Sequence, residues 1–258
     1  MLVLKKFAKD KPAVLGLFVV LVVVLVAVFA SYLAPYPGDV SASHLLRRLK
    51  PPSWAHPFGT DNLGRDIFSR VILGARGALT IAVMVVGTSM LIGMPLGLIG
   101  GYYQGWGAET IMRVTDMFLA VPQLILALAL AQLMTPSLES AMLALTLTYW
   151  PFFTRIVYAE TRRLKAALFI DALQCIGASG ARILFLHILP NCISPVIVRA
   201  TIGMGFTILT TAVLGFLGIG ATPPSPDWGL AILVTVLGFN LFGDGLRDLV
   251  DPRLRRSR

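Results

Sequence analysis

Between Lys11 and Asp39 the chain carries no charged residue. Residues 13–34 of that stretch are apolar almost throughout, and about 20 such residues are what a helix needs to cross the hydrocarbon of a bilayer. In lipid every backbone N–H and C=O must be satisfied within the segment, so a run of this kind is a helix. The pattern recurs. A second uncharged stretch, between Arg76 and Glu109, holds a span at 79–102. A third is centred on 117–134 and begins near Thr110, a fourth covers 138–157, and a fifth covers 193–219 with Arg199 as its one awkward residue, near an end. The sixth candidate, 230–242, is anomalous: at about 1.5 Å per residue it reaches only about two-thirds of the hydrocarbon thickness.

Composition agrees with this reading. The 258 residues are 56% hydrophobic and 14% charged, against about 25% charged in soluble domains. The net charge of +9 raises nucleic acid as a partner, but the basic residues cluster at the ends of apolar runs, where topology explains them. The first run is long and lacks an Ala-x-Ala exit, so the expectation is an anchor that is kept, not a cleaved leader. Cys175 and Cys192 form no CxxC pattern, and the expectation for both is a small apolar filler.

Basic residues set the expected orientation. Lys5, Lys6, Lys9 and Lys11 precede span one; Arg155, Arg162, Arg163, Lys165 and Arg182 lie between spans four and five; Arg247, Arg253, Arg255, Arg256 and Arg258 lie in the tail. Six spans put all three groups on one side, which the positive-inside rule makes cytoplasmic. Arg47, Arg48, Lys50, Arg65, Arg70 and Arg76 argue the other way, but they fall in a long outer loop, 35–76, where the rule weakens. Within that loop 66–79 has a half-amphipathic pattern, expected to form a helix along the interface that leads into span two. His44 and His56 also lie there, without the spacing or the acidic and sulfur partners of a metal centre.

The chain has no GxxxxGK[ST] loop for ATP, no HExxH and no GxSxG. His187 is the one histidine near a span, with no evident partner, and intramembrane carboxylates are nearly missing. Uphill transport by this chain therefore needs an engine elsewhere. The stretch DALQCIGASGARILFLHILPN at 171–191 is too apolar for a plain loop and too rich in Gly, Ala and Ser for a span, and it reads as a docking segment.

That stretch resembles the EAA loop of ATP-binding-cassette (ABC) importer permeases, Glu-Ala-Ala, three residues, Gly, then a spacer to Leu-Pro. Asp171 stands at the Glu position, Ala172 matches, Leu173 replaces the second Ala, and Gly177 is in place, followed by Leu189-Pro190. HPFGTDNLGRDIFSRVILGAR at 56–76, LGFLGIGATPPSPDWG at 214–229 and GFNLFGDGLRDLVDPRL at 238–254 are similar to the peptide and nickel branch of that family, and to its C-type (dipeptide permease C-like) subunit. The resemblance implies an all-α membrane protein with six transmembrane helices, the type I ABC importer permease fold and a cytoplasmic coupling-helix loop. It implies a bacterial inner-membrane location, with both termini cytoplasmic, and a subunit that forms half the path for di- or oligopeptides. No catalytic residue and no cofactor are implied for this chain, ATP and Mg belonging to separate subunits. The implied partners are a second, homologous permease, two ATP-binding subunits, a periplasmic or lipid-anchored substrate-binding protein and the lipid bilayer, with no nucleic acid.

By the same resemblance Asp171, Ala172, Gly177, Ala178, Ile183, Phe185, Leu189 and Pro190 carry the coupling to the ATPase, with Ile183, Leu184, Phe185 and Leu186 filling a groove on it. Gly59, Thr60, Asp61, Gly64, Arg65 and Asp66 form an outer-loop signature, read as a structural knot more than as a binding-protein contact. The expected divisions are 1–76, an N-terminal span with the outer loop and interfacial helix; 77–245, the permease domain, with the coupling loop at about 160–190; and 246–258, a basic tail. Relatives of this family carry roughly twenty more residues after Asp227-Trp228-Gly229, so a segment is expected to be missing at 229/230. Three other readings remain: a nickel or nickel-chelate permease, an intramembrane enzyme, and a passive channel that needs no docking segment.

Overall fold

The computed structural model describes residues 10–40, 42–135, 137–217 and 230–250, and among these the structure is helical apart from loops and one isolated β-bridge. The first helix, α1 (Lys11–Val28), starts under Asp10, whose Oδ1 accepts the Ala13 N–H at 3.3 Å. Pro12 sits in its first turn, where the missing N–H would have had no helical partner. A break at Phe29 separates it from α2 (Ala30–Leu33), so the expected span 13–34 is built in two pieces.

The next helix corrects an expectation. α3 (Ile67–Tyr102) runs unbroken for 36 residues, so the 66–79 stretch is the first part of span two and not a separate interfacial helix. Its Ile72 is buried against Ala30 and Ala34, and Ala75 and Ala82 pack with Val23 and Ala27. The apolar face of 67–79 is therefore turned to α1 and α2. The third expected span is also different. α4 (Trp106–Ala120) and α5 (Gln123–Gln132) meet at 90°, broken at Val121-Pro122, because a residue before proline is driven out of the α region.

α6 (Leu138–Lys165) begins at Ser137, whose Oγ accepts the Ser140 N–H at 3.1 Å. It is followed by α7 (Leu168–Cys175), α8 (Gly180–Ile183), a π-helical turn at Leu184–Ile188 and α9 (Leu189–Phe216). The last helix, α10 (Leu230–Val250), has 21 residues, about 31 Å, because the helix continues past the apolar run through Asp244 and Arg247. The last helix thus outruns the apolar run of the sixth candidate without joining the helices apolar enough to cross a membrane, and the expected missing segment at 229/230 falls at the edge of 218–229, outside the described residues. Among the described residues three helical runs are long and apolar enough to cross a membrane, α1, α3 and the continuous run Gly180–Phe216, and four if α4 and α5 count as one broken span.

Close approach of α3 to α6 organises the bundle. A Cβ on Gly93 would lie 2.5 Å from the Trp150 carbonyl oxygen, one on Gly97 2.6 Å from that of Thr154, and one on Gly101 2.6 Å from Thr161 Cβ. The four-residue spacing puts all three on one stripe, so the backbones touch directly. Gly100 has only ordinary contacts. On the other side α10 lies between α1 and α9: Gly16 faces Leu241 and Phe242, Gly238 faces Val19, and Gly243 faces Ile202.

These pairings give the levels of the helices. The first turn of α1 lies near the level of Arg199 in α9, so Arg199 stands at the polar end of the first span and not at mid-depth. Its guanidinium covers the Tyr149 and Phe152 rings at 5.5 and 4.6 Å. Leu189 is ten residues before Arg199, so α9 starts about 15 Å beyond that level. The chain at 166–188 therefore lies beyond the level of the first turn of α1.

Candidate functional site

The overhanging segment has two faces. Ile170, Ile183, Leu184 and Ile188 are buried in one cluster with Tyr102, Phe153, Val157 and Leu164 of α3 and α6, so the segment is embedded in the bundle core. Its other face is apolar but bare: Leu168, Phe169, Ile176 (79% exposed), Phe185 and Leu186 (63% each) point away from the protein. Leu168, Ala172 and Ile176 are spaced by four and form the outer stripe of α7, whereas Ile170 and Leu173 point inward. Two expected groove-filling residues, Ile183 and Leu184, are instead part of the core, because they lie on the face of α8 and the π turn that meets α6. Leu168 and Ile176 were not among the expected residues, although their spacing with Ala172 marks the stripe.

Local chemistry fixes this shape. α7 ends at Gly177, whose φ of +79° is a left-handed conformation that a side chain disfavours. Around it the Gly177 N–H donates to the Gln174 carbonyl at 2.9 Å and the Ala178 N–H to the Leu173 carbonyl at 3.0 Å, closing the helix C-terminus. Ser179 then caps α8, its Oγ accepting the Arg182 N–H at 3.4 Å. Pro190 has no N–H for the carbonyl four residues back, and the helix widens just before it, with the Leu189 N–H bonded to Leu184 O five residues away. Asn191 Nδ2 donates to the His187 carbonyl at 2.6 Å. Of the expected coupling residues, Asp171, Ala172, Gly177, Phe185 and Pro190 are exposed, Ala178 and Leu189 are half-buried, and Ile183 is buried. Lys165 joins the segment to α3, its Nζ donating to the Tyr102 carbonyl at 2.6 Å.

Beside the segment, α4 and α6 border an open cleft of about 530 Å³ lined in part by Arg113, Asp116, Arg155, Tyr158 and Arg162. Arg155 and Asp116 pair across it at 2.9 Å.

At the opposite end the expected signature residues form a knot. Asp61 accepts the N–H groups of Leu63 and Arg65, both at 2.9 Å, and the Arg65 Nε at 2.7 Å, with Arg70 at 3.6 Å. Burial pushes the Asp61 carboxyl up, but these hydrogen bonds outweigh it and hold the group below its ordinary value. Asp66 caps α3, accepting from Ser69 N–H at 2.7 Å and Ser69 Oγ at 2.6 Å, and it faces His56 Nδ1 at 3.0 Å. Gly59 (φ +73°) and Gly64 (φ +76°) turn the loop, and a Cβ on Gly64 would lie 1.8 Å from His44 O. Thr60 bonds the Arg47 carbonyl through Oγ1 and receives the Lys50 N–H at 2.8 Å.

Residues 93–256 match the family model of the binding-protein-dependent transport system inner membrane component. The chain belongs to that family. Residues 1–52 match a second model, the N-terminal transmembrane domain of oligopeptide transport permease C. The permease is 39% identical to the dipeptide transport system permease protein DppC of Alkalihalophilus pseudofirmus, over 97% of this chain and 89% of the relative. It is 42% identical to the DppC of Escherichia coli K12, over 97% and 92%, and 38% identical to the glutathione transport system permease protein GsiD of Pectobacterium atrosepticum, over 97% and 90%. The A. pseudofirmus alignment spans 272 positions but only 97% of the 258 residues here, about 250, so roughly twenty positions of the relative have no counterpart in this chain. Among solved structures, an inward-facing MetNI methionine ABC transporter shares the fold, with a TM-score of 0.58 at 19% identity, over 71% of this chain and 97% of that one.

Proposed function

We propose that this permease is one of two homologous membrane subunits of an ATP-driven importer of di- or oligopeptides, and that residues 166–188 are its docking segment for an ATPase subunit. The observation that carries the reading is the two-faced segment: Ile170, Ile183 and Ile188 are locked into the bundle core while Leu168, Ile176, Phe185 and Leu186 are bare. An apolar face held outside the membrane slab suits a groove in a soluble partner. Peptide, more than nickel, is favoured by the printed names of the most similar relatives.

Six membrane crossings, with α4 and α5 as one broken span, put the Lys11 end, the docking segment and the tail on the cytoplasmic side. Arg155, Arg162, Arg163, Lys165 and Arg182 all lie there, as the positive-inside rule requires. Closure of two ATPases on ATP then pushes the docking segments of two permeases. Because the buried face shares a core with α3, α6 and α9, that push moves spans and not merely a loop. A substrate-binding protein delivers the peptide to the outward-open cavity, and hydrolysis resets the path inward.

Copurification tests the reading. With the ATPase and second permease expressed alongside, Gly177→Arg is expected to lose most of the associated ATPase, while Gly177→Asn, which tolerates a positive φ, keeps it. Equal capture by wild type and Gly177→Arg would contradict the docking role.

A further inference from the structure

The outer loop holds a surface that docking to the ATPase leaves unexplained. From Leu45 to Ala55 every residue is exposed, and the apolar ones are large: Leu45, Leu46 (97%), Leu49 and Trp54 (105%). A mobile loop would be expected to fold such residues away. This ribbon is instead pinned to the knot, by His44 N–H to the Leu63 carbonyl at 2.8 Å, Leu49 N–H to the Asp61 carbonyl at 3.1 Å, and Lys50 N–H to Thr60 Oγ1 at 2.8 Å. Leu49 has a φ of +52°, the one non-glycine in the left-handed region among the described residues. Strain of that kind persists only where the surroundings impose it. Here it keeps Leu49 and its neighbours pointing outward.

Charge and level say what the surface meets. Between Asp39 and Asp61 the chain carries Arg47, Arg48 and Lys50 and no acidic residue, and these three cations have no ion pair within the described residues. Ile72 packs on Ala30 and Ala34, and Tyr36 N–H donates to Ser69 Oγ at 3.1 Å. The first turn of α3 is therefore level with the end of the first apolar run. Ile67 lies five residues beyond Ile72, about 7.5 Å, which is the thickness of one headgroup layer. Trp and Leu beside Arg and Lys at that depth match what a lipid interface selects.

We infer that residues 45–54 lie on the outer leaflet as an interfacial anchor, with Arg47, Arg48 and Lys50 binding the phosphates of anionic phospholipids and Leu45, Leu46, Leu49 and Trp54 seated below them. The anchor rests on the six-span topology of the proposed function but not on ATPase docking. It also accounts for three of the cations that run against the positive-inside rule, Arg47, Arg48 and Lys50, which are held in place by headgroups of their own leaflet.

The test uses the full permease with its partner subunits in nanodiscs of phosphatidylglycerol or phosphatidylcholine. The chain has four tryptophans, so the Trp54 signal is the difference between wild type and Trp54→Phe. Lipids brominated near the headgroup are expected to quench that signal, and aqueous iodide to fail. Reversing Arg47, Arg48 and Lys50 to Glu is expected to lower the preference for phosphatidylglycerol by about tenfold or more, with helix content and ATPase copurification unchanged. Iodide quenching in lipid equal to that in detergent, or unchanged lipid preference after charge reversal, would overturn the anchor. Shielding of Trp54 only when the substrate-binding protein is added would overturn it in favour of a protein-docking face. Loss of ATPase in the wild-type sample bears on the docking segment alone.

Discussion

Single residues decide both ends of this molecule. Gly177 is required by its backbone and not by its size: a Cβ there meets nothing within 4 Å, yet φ is +79°. The sequence marks it through the EAA-like spacing, but the sign of φ is visible only in the structure. Asp61 shows the opposite case, a residue fixed by its partners. Its carboxyl is held below the ordinary value of 3.8 chiefly against burial, by Arg65 and the Leu63 amide. A lowered native pKa means the contribution is complete above the unfolded value and is lost as pH falls through the native one. The Asp61 contribution to the knot is thus expected to be complete at pH 5 and above and to be lost only below about pH 4, followed by exchange of the Leu63 and Arg65 amides. Asp61→Asn is expected to weaken it by about 2 kcal/mol at neutral pH, as charge-assisted hydrogen bonds are lost. Protection of those amides unaltered by the substitution would contradict this.

At the scale of elements, the α3–α6 seam makes the sharpest prediction. Gly97→Leu puts a side chain into the Thr154 backbone and is expected to cost about 3 kcal/mol or to prevent assembly. Gly77→Leu, in the same helix with nothing within 4 Å, is expected to be silent; thermal unfolding in detergent compares the two. Spans one, two and five were legible from hydropathy, because a lipid-facing helix has to be apolar over a fixed length. The right angle at Pro122 was not. Pro95, Pro151 and Pro195 all remain inside helices. Pro151 is buried in the α3–α6 seam, and Pro95 lies between Gly93 and Gly97, which pack directly on α6. Around Pro122 most side chains are exposed, so nothing opposes the bend. Composition carries no trace of that difference in surroundings. Charge ends an apolar run without ending a helix, and α10 runs on past Asp244.

For the whole molecule, what matters is the distance between the level of Arg199 and the two-faced segment 166–188. α6 and α9 carry that segment about 15 Å out, and its buried isoleucines tie it to the core that contains Tyr149 and Phe153. The division between Ile183 and Leu184, inside, and Phe185 and Leu186, outside, could not be read from four adjacent apolar letters, since it depends on where the π turn before Pro190 points them. The native thiols offer a direct probe of this arrangement, because Cys175 is exposed on α7 and Cys192 is buried. A photo-crosslinker attached at Cys175 of the permease, in membranes that contain all the partner subunits, is the measurement to make. Capture of an ATPase subunit, lost when Phe185 and Leu186 are both changed to Asp, is the predicted result. Capture of lipid or of the permease pair alone, with no ATPase, would contradict the account.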